Sequence, residues 1–315
     1  MRILAIGGTG FIGRFAIPVL RNVGHEVTVF HRGASRIEGV ASIRGDRREF
    51  AKHAAELRDV LPEVVIDFLI SNARQAEELI ETFDRARVVM LSSCDVYRSA
   101  GILHGTEPGE VDNTVSTEDS PLRTKLHPYP PANLQAVRAV YPWVEEDYDK
   151  IPAERVVLAA GGTVLRLPMI YGPGDPLHRF SDVIKPIDAG DRVILLDEAT
   201  AQWRAIRGYV EDVASAIALA ATDPRAAGRV YNVGDPENFT ELEWRRQIAD
   251  AAGWTGEFRV VPLDGLPDHL KPRGDFRQHW SADTSRIRRE LNYREPTPRA
   301  EALRRTIAWE RANLK

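Results

Sequence analysis

The chain has 315 residues, 43% hydrophobic and 28% charged, with a formal net charge of −4. That length suits one large α/β domain, or a large domain with a smaller companion. The scattered basic residues give no footprint for a nucleic-acid or membrane surface. A single cysteine, Cys94, excludes an internal disulfide and any cysteine-rich metal site and fits a reducing cytoplasm.

Strand candidates are "RILAI" (2–6), "EVTVF" (26–30), "VVIDF" (64–68), "RVVML" (87–91) and "TVLRL" (163–167), with helix-like segments near 11–22, 47–58, 73–83 and 151–159 between them. The strands are mostly unbroken apolar runs, the pattern of a sheet covered on both faces, and the alternation predicts a doubly wound parallel sheet. No apolar run approaches the roughly 18–20 residues of a membrane span. The first run breaks at Gly7-Gly8, so no signal peptide is expected and the expected setting is cytoplasmic.

The stretch 98–147 interrupts this rhythm with Pro, Gly, Glu and Asp, and its length predicts a functional lid or a mobile insertion. Beyond Tyr171, "RVILL" (192–196), "RVYNVG" (229–234) and "FRVVP" (258–262) lie among helical stretches. They predict a small C-terminal substrate subdomain interleaved with the end of the main sheet. The expected division is 1–171 plus about 205–235 for dinucleotide binding, and about 172–204 and 236–315 for substrate.

The strongest local signal is the strand running into Gly7-Gly8-Thr9-Gly10-Phe11-Ile12-Gly13, with a helix after it. A tight turn, close backbone approach and a helix N-terminus together make a cradle for a pyrophosphate. The next strand ends in His31-Arg32-Gly33 with no acid. A carboxylate there would bond a ribose 2′-hydroxyl and repel a 2′-phosphate, whereas Arg32 can bond a phosphate. NADP(H) is therefore favoured, with NAD(H) the alternative.

The ordered motifs resemble the extended and atypical short-chain dehydrogenase/reductases, specifically the NAD-dependent epimerase/dehydratase family. They are "GGTGFIG" (7–13), "GDRRE" (45–49), "LSSCDVY" (91–97), "RLPMIYGPGD" (166–175), "RGYVEDVASAIALA" (207–220) and "RVYNVG" (229–234), and the likeness covers nearly the whole chain. It implies a Rossmann-type sheet and a cofactor held by Gly7, Gly10, Phe11, Ile12, Gly13, His31, Arg32, Asp46, Arg47, Phe68, Lys150 and Pro168, with Asp46 meeting the adenine amine. It also implies catalysis by a Ser or Thr, a Tyr acting as general acid/base, and a Lys that lowers the Tyr pKa and binds the nicotinamide ribose. Ser93 holds the hydroxyl position. Cys94 and Asp95 stand where the family's dehydratases carry two acids, so only half of that pair is present.

"EEDYDKIPAERVV" (145–157) departs from the pattern. Lys150 followed by Glu154 matches the family's Lys-x-x-x-Glu register, but Glu146, not tyrosine, lies four residues before the lysine. Tyr148 is two residues away, and on an unbroken helix it would point roughly 200° from Lys150. If Asp149 caps the helix, Pro152 sits harmlessly in the first turn and Tyr148 escapes that rule. The alternative is an earlier start and a kink at Pro152.

Candidates on the substrate side are Asp95, His178, Arg179, Trp203, Arg204 and Arg207. No metal-ligand spacing occurs among the histidines. The expected activity is NADP(H)-dependent oxidation or reduction of a carbinol or carbonyl carbon, with a sugar or nucleotide sugar within what the resemblance implies. The partner is a small-molecule substrate, not a membrane or nucleic acid, and a homodimer is within what the resemblance implies, since dimers are common among relatives. The rival reading is a cofactor-binding sensor or interaction protein that has lost redox catalysis, with RNA binding a lesser variant.

Overall fold

The structure is a computed structural model that describes residues 1–34, 37–127 and 131–314. In chain order the first half holds β1 (Arg2–Ile6), α1 (Gly13–Asn22), β2 (Glu26–His31), β3 (Ala41–Arg44), α2 (Phe50–Asp59), β4 (Val64–Asp67), α3 (Ala73–Thr82) and β5 (Arg87–Ser93). Helices α4 (Arg98–Leu103), α5 (Pro131–Val140) and α6 (Lys150–Ala159) lead to β6 (Thr163–Leu167) and β7 (Met169–Tyr171). There follow α7 (Ser181–Asp188), β8 (Val193–Asp197), α8 (Glu198–Gln202), β9 (Arg207–Tyr209), α9 (Val210–Thr222) and β10 (Val230–Asn232). The last elements are α10 (Glu241–Ala251), β11 (Glu257–Val261), α11 (Ser285–Leu291) and α12 (Arg299–Asn313).

Seven strands form one parallel sheet in the order β10-β6-β5-β4-β1-β2-β3. Every residue of β4 and β6 is buried, because helices cover both faces. Helices α1 and α9 pack on one side through Ala16, Ile17, Val213 and Ile217. Helices α2, α3 and α6 pack on the other through Leu57, Leu79, Ala153 and Val157. The strand order reverses beside β1, so the crevice at the carboxyl ends of β1, β4 and β5 is the place such sheets bind ligands.

Strand β3 is not anticipated by hydropathy. "ASIR" lies at the sheet edge and is mostly exposed, so it pairs with β2 through backbone bonds without an apolar run to announce it. Strands β8 and β11 pair with each other in parallel, as do β7 and β9.

The interrupting stretch is partly stitched down, which the lid-or-insertion expectation did not foresee. Asp112 and Gln278 exchange hydrogen bonds, the Asn113 side chain accepts from His279 N, and Ser116 bonds the backbone of Ser281 and Asp283. Among the described residues, no helix is long and apolar enough to cross a membrane.

Candidate functional site at the carboxyl edge of the sheet

The glycine turn divides its labour. Gly7 has φ +81°, and a Cβ there would fall 2.3 Å from Leu69 Cγ. A Cβ on Gly13 would sit 2.2 Å from the Gly8 carbonyl oxygen, so α1 can lie against the turn only if that side chain is absent. Gly10 meets nothing nearer than 3.9 Å, leaving its backbone open to the cleft at the N-terminal end of α1. These are the tight turn, close packing and open approach that a dinucleotide pyrophosphate requires, so the residues present fit such a cofactor. Phe11 and Ile12 pack partly buried against the core beside the turn.

The cleft extends from this turn past Phe30, His31 and Arg32 to Asp46, Arg48, Leu69 and Trp143. Asp46 caps the short turn after it by accepting from Arg48 N at 2.9 Å. The Arg48 guanidinium grips the same carboxylate at 2.6 and 3.1 Å, and Arg32 stands 3.7 Å away, half exposed. The hydrogen bond from Arg48 outweighs partial burial and draws the Asp46 carboxyl down to about 2. Arg48 was not anticipated.

Arg47, its neighbour and an expected cofactor contact, also lines this cleft. Its guanidinium is buried and bonds Asp67 at 2.9 Å, Glu78 at 3.1 Å and the Gln75 carbonyl at 2.7 Å. Those bonds fasten the cleft wall to β4 and α3.

Helix α6 begins at Lys150, with Asp149 as N-cap accepting from Ile151 N at 2.9 Å. Pro152 therefore falls in the first turn and Tyr148 precedes the helix, which decides between the two readings of this segment. Asp149 also accepts from His127 N at 2.6 Å and faces Arg123 at 3.5 Å, so one buried carboxylate ties the preceding loop to the helix start.

The Lys150 ammonium donates to Leu91 O at 3.0 Å and to Ile70 O. Burial brings its pKa down to about 8, against the pull of Asp67 and Glu154. The Trp143 and Tyr148 rings lie 5.1 and 5.8 Å from the ammonium, and Tyr148 packs with Leu134 and Val144.

Ser93 closes β5, the strand whose Leu91 carbonyl holds Lys150. Its hydroxyl accepts from Asp95 N at 3.1 Å. Cys94 is buried, with Sγ 3.6 Å from the Arg166 carbonyl, while Asp95 is partly exposed. Phe68 follows β4 and packs partly buried against the core; Pro168 follows β6 and is buried near Gly208.

Behind this edge, Glu154 is one helical turn beyond Lys150 and receives Arg166 at 2.8 Å and the Ser92 hydroxyl. Arg166 also bonds Tyr97 Oη at 3.0 Å, and Tyr97 donates to Asn232 at 2.6 Å. Burial pushes the Tyr97 phenol well up, consistent with a packed residue.

The proposed substrate residues do not converge. His178 has φ +47° and turns onto α12, with Nδ1 2.7 Å from Glu310 and its ring stacked on Trp309. Trp203 is core: its indole donates to Gln278 O at 3.0 Å and packs on Phe276. Arg204 spends its guanidinium on Asn238 O at 2.8 Å beside the start of α10.

Arg179 and Arg207 do share a small cavity with Tyr171, Trp244, Arg245 and Glu241. Both are partnered there, Arg179 by Asp175 and Ile170 O at 2.7 Å, and Arg207 by Glu241. Burial lowers the Arg207 pKa against the pull of Glu241. Among the described residues, no three His, Cys, Asp or Glu side chains are grouped to hold a metal ion.

Residues 3–234 match the model of the NAD dependent epimerase/dehydratase family. The chain is 26% identical to the dTDP-glucose 4,6-dehydratase of Streptomyces niveus, over 99% of this chain and 94% of that protein. It is 28% identical to the chloroplast stem-loop binding protein of 41 kDa b of Arabidopsis thaliana, over 96% and 77%. The fold is shared with the dTDP-glucose 4,6-dehydratase of Bacillus anthracis str. Ames, solved in complex with NAD, at a TM-score of 0.68, 18% identity and coverage of 99% and 97%. With the glycine turn, the parallel sheet and a family match spanning most of the chain, this protein belongs to the NAD dependent epimerase/dehydratase family and is an oxidoreductase of that type.

Proposed function

We propose that this protein is an NADP(H)-dependent dehydrogenase or reductase acting on a carbinol or carbonyl carbon of a nucleotide-linked sugar. The carrying observation is the convergence at one crevice of the open glycine turn, the buried Lys150 and Ser93 at the end of β5. When bound, the nicotinamide cofactor supplies the hydride acceptor or donor. Gly7, Gly10 and Gly13 would hold its pyrophosphate, and Lys150 its ribose.

Preference for NADP(H) is supported by Arg32 and Arg48, which bracket the Asp46 carboxylate on the cleft wall. Bonding a 2′-phosphate would turn these guanidinium groups from the Asp46 carboxylate to the ligand.

Ser93 Oγ would orient the substrate oxygen and the Tyr148 hydroxyl would deliver or accept its proton. The positive charge of Lys150 beside the Tyr148 ring supports this assignment. Reduction is favoured over dehydration because Cys94, at the position of the first dehydratase acid, is a buried thiol turned to the Arg166 carbonyl. A sugar substrate is supported by the dTDP-glucose relatives. A cofactor-binding sensor is the second reading, favoured by the exposed Glu146 at the family's tyrosine position and by the stem-loop binding relative.

Turnover of dTDP- and UDP-linked sugars with each cofactor separates the two. Reduction or oxidation lost in Ser93→Ala and Lys150→Met, with a preference for NADP(H) that falls in Arg32→Ala and Arg48→Ala, is the expected result. Tight cofactor binding without turnover on any sugar would favour the sensor. Full activity in Tyr148→Phe would remove Tyr148 from the proton path.

A further inference from the structure

Among the described residues, Trp143 is the one cleft-lining side chain contributed by the long stretch between β5 and α6. It faces the same cleft as Gly7, Gly10 and Leu69, and its indole also lies 5.1 Å from the Lys150 ammonium. It therefore stands between the glycine turn and the lysine, where a dinucleotide reaching from one to the other must pass. Tyr141 and Tyr148 flank it, with ring centroids 6.1 and 6.2 Å away.

The backbone around Trp143 is held on both sides. Val144 N donates to Tyr141 O at 3.1 Å, Arg138 Nε donates to Val144 O at 2.9 Å, and Glu145 is gripped by Asn72, Arg74 and Gln75 of the α3 start. Freedom at this point thus belongs to the half-buried indole and not to the chain that carries it.

We propose that Trp143 is a cofactor-contacting gate: its indole covers the Lys150 ammonium, and cofactor entry swings it aside while it remains the outer wall of the cleft. Two of the three ammonium donors are bound by Ile70 O and Leu91 O. The indole π-face, nearer the ammonium than the Tyr148 ring, is then the neighbour that a ribose hydroxyl can replace, since a cation holds an aromatic face without consuming a directed hydrogen bond. The inference rests on cofactor binding at this cleft and on Lys150 meeting the ribose, not on which of the two nicotinamide cofactors is preferred.

The test pairs binding with fluorescence on the full chain, using NADP⁺ and NAD⁺ as probes. Calorimetry reports binding independently of any tryptophan. The wild type should show a saturable change in tryptophan emission on binding. Trp143→Phe should bind by calorimetry yet lose at least about half of that change, and Trp143→Ala should associate faster by on the order of 2- to 30-fold, the span set by breaking one buried cation–π contact.

An unchanged emission response in Trp143→Phe, or an unchanged association rate in Trp143→Ala, overturns the gate while leaving the enzyme reading intact. Absence of calorimetric binding by both cofactors to the wild type overturns both. The phenylalanine variant keeps an aromatic ring at the site, so it remains informative if the alanine variant fails to fold.

Discussion

Glu154→Gln swaps a carboxylate for an amide of nearly equal shape, so it tests charge and not volume. Glu154 and Arg166 are each under 5% exposed and 2.8 Å apart. Removing one charge of such a pair strands the other, at a typical cost of about 3–5 kcal/mol. For a chain of this length that corresponds to a fall of roughly 5–8 °C in thermal midpoint.

Arg166→Met should cost a similar amount, since Glu154 would be buried without its counter-ion and the Glu118 carbonyl and Tyr97 hydroxyl would lose a donor. The double variant Glu154→Gln/Arg166→Met buries no charge. It should lose less than the sum of the singles by at least about 2 kcal/mol. Denaturant titration of all four proteins gives the coupling. A single-variant cost below about 1 kcal/mol, or additivity within about 0.5 kcal/mol, would refute the reasoning.

The glycine turn gives a second contrast. Gly13→Ala drives a Cβ into the Gly8 backbone; strain of roughly 1–3 kcal/mol should weaken cofactor binding about 5- to 150-fold and lower the midpoint. Gly10→Ala has open space, so it should leave the midpoint nearly unchanged while impairing binding, and wild-type affinity in Gly10→Ala would contradict the cradle. The third concerns Asp235, buried at the end of β10, whose carboxyl is raised to about 7 by burial, against Arg299 and with Asp212 adding to the rise. Its folded pKa lies above its unfolded one, so the stability it contributes is present below about pH 4 and is lost as pH climbs through 7. Asp235→Asn should flatten that part of the stability profile and be more stable than wild type at pH 8, by up to a few kcal/mol. Thermal midpoints across pH 4–8 check this, and equal midpoints at pH 8 would refute it.

Much of the scaffold is legible in the chain because its causes are local or periodic. Apolar runs mark the buried strands, glycines mark the turn, and the spacing of Lys150 to Glu154 places the lysine in register. The structure explains that register: Glu154 faces Arg166 and Ser92 while Lys150, one turn earlier, faces β5. Strand β3 escaped because an exposed edge strand has no hydrophobic signature. The partners of His178, Trp203 and Arg204 were not legible for a different reason, since residue type and proximity to a motif do not say which way a side chain leaves the backbone.

The sequence by itself determined a parallel α/β sheet with a phosphate-binding turn, and it reduced the Tyr148 question to where one helix begins. Pro152 made a start at Asp149 admissible. Only the tertiary structure chose it, because the Asp149 carboxylate is held by partners at 123 and 127 as well as by its own helix. The same holds for the two adjacent arginines after Asp46. Arg47 bonds the distant Asp67 and Glu78 while Arg48 pairs with the nearby Asp46, because buried charges go where partners neutralise them, and distant partners are neighbours only once the chain has folded.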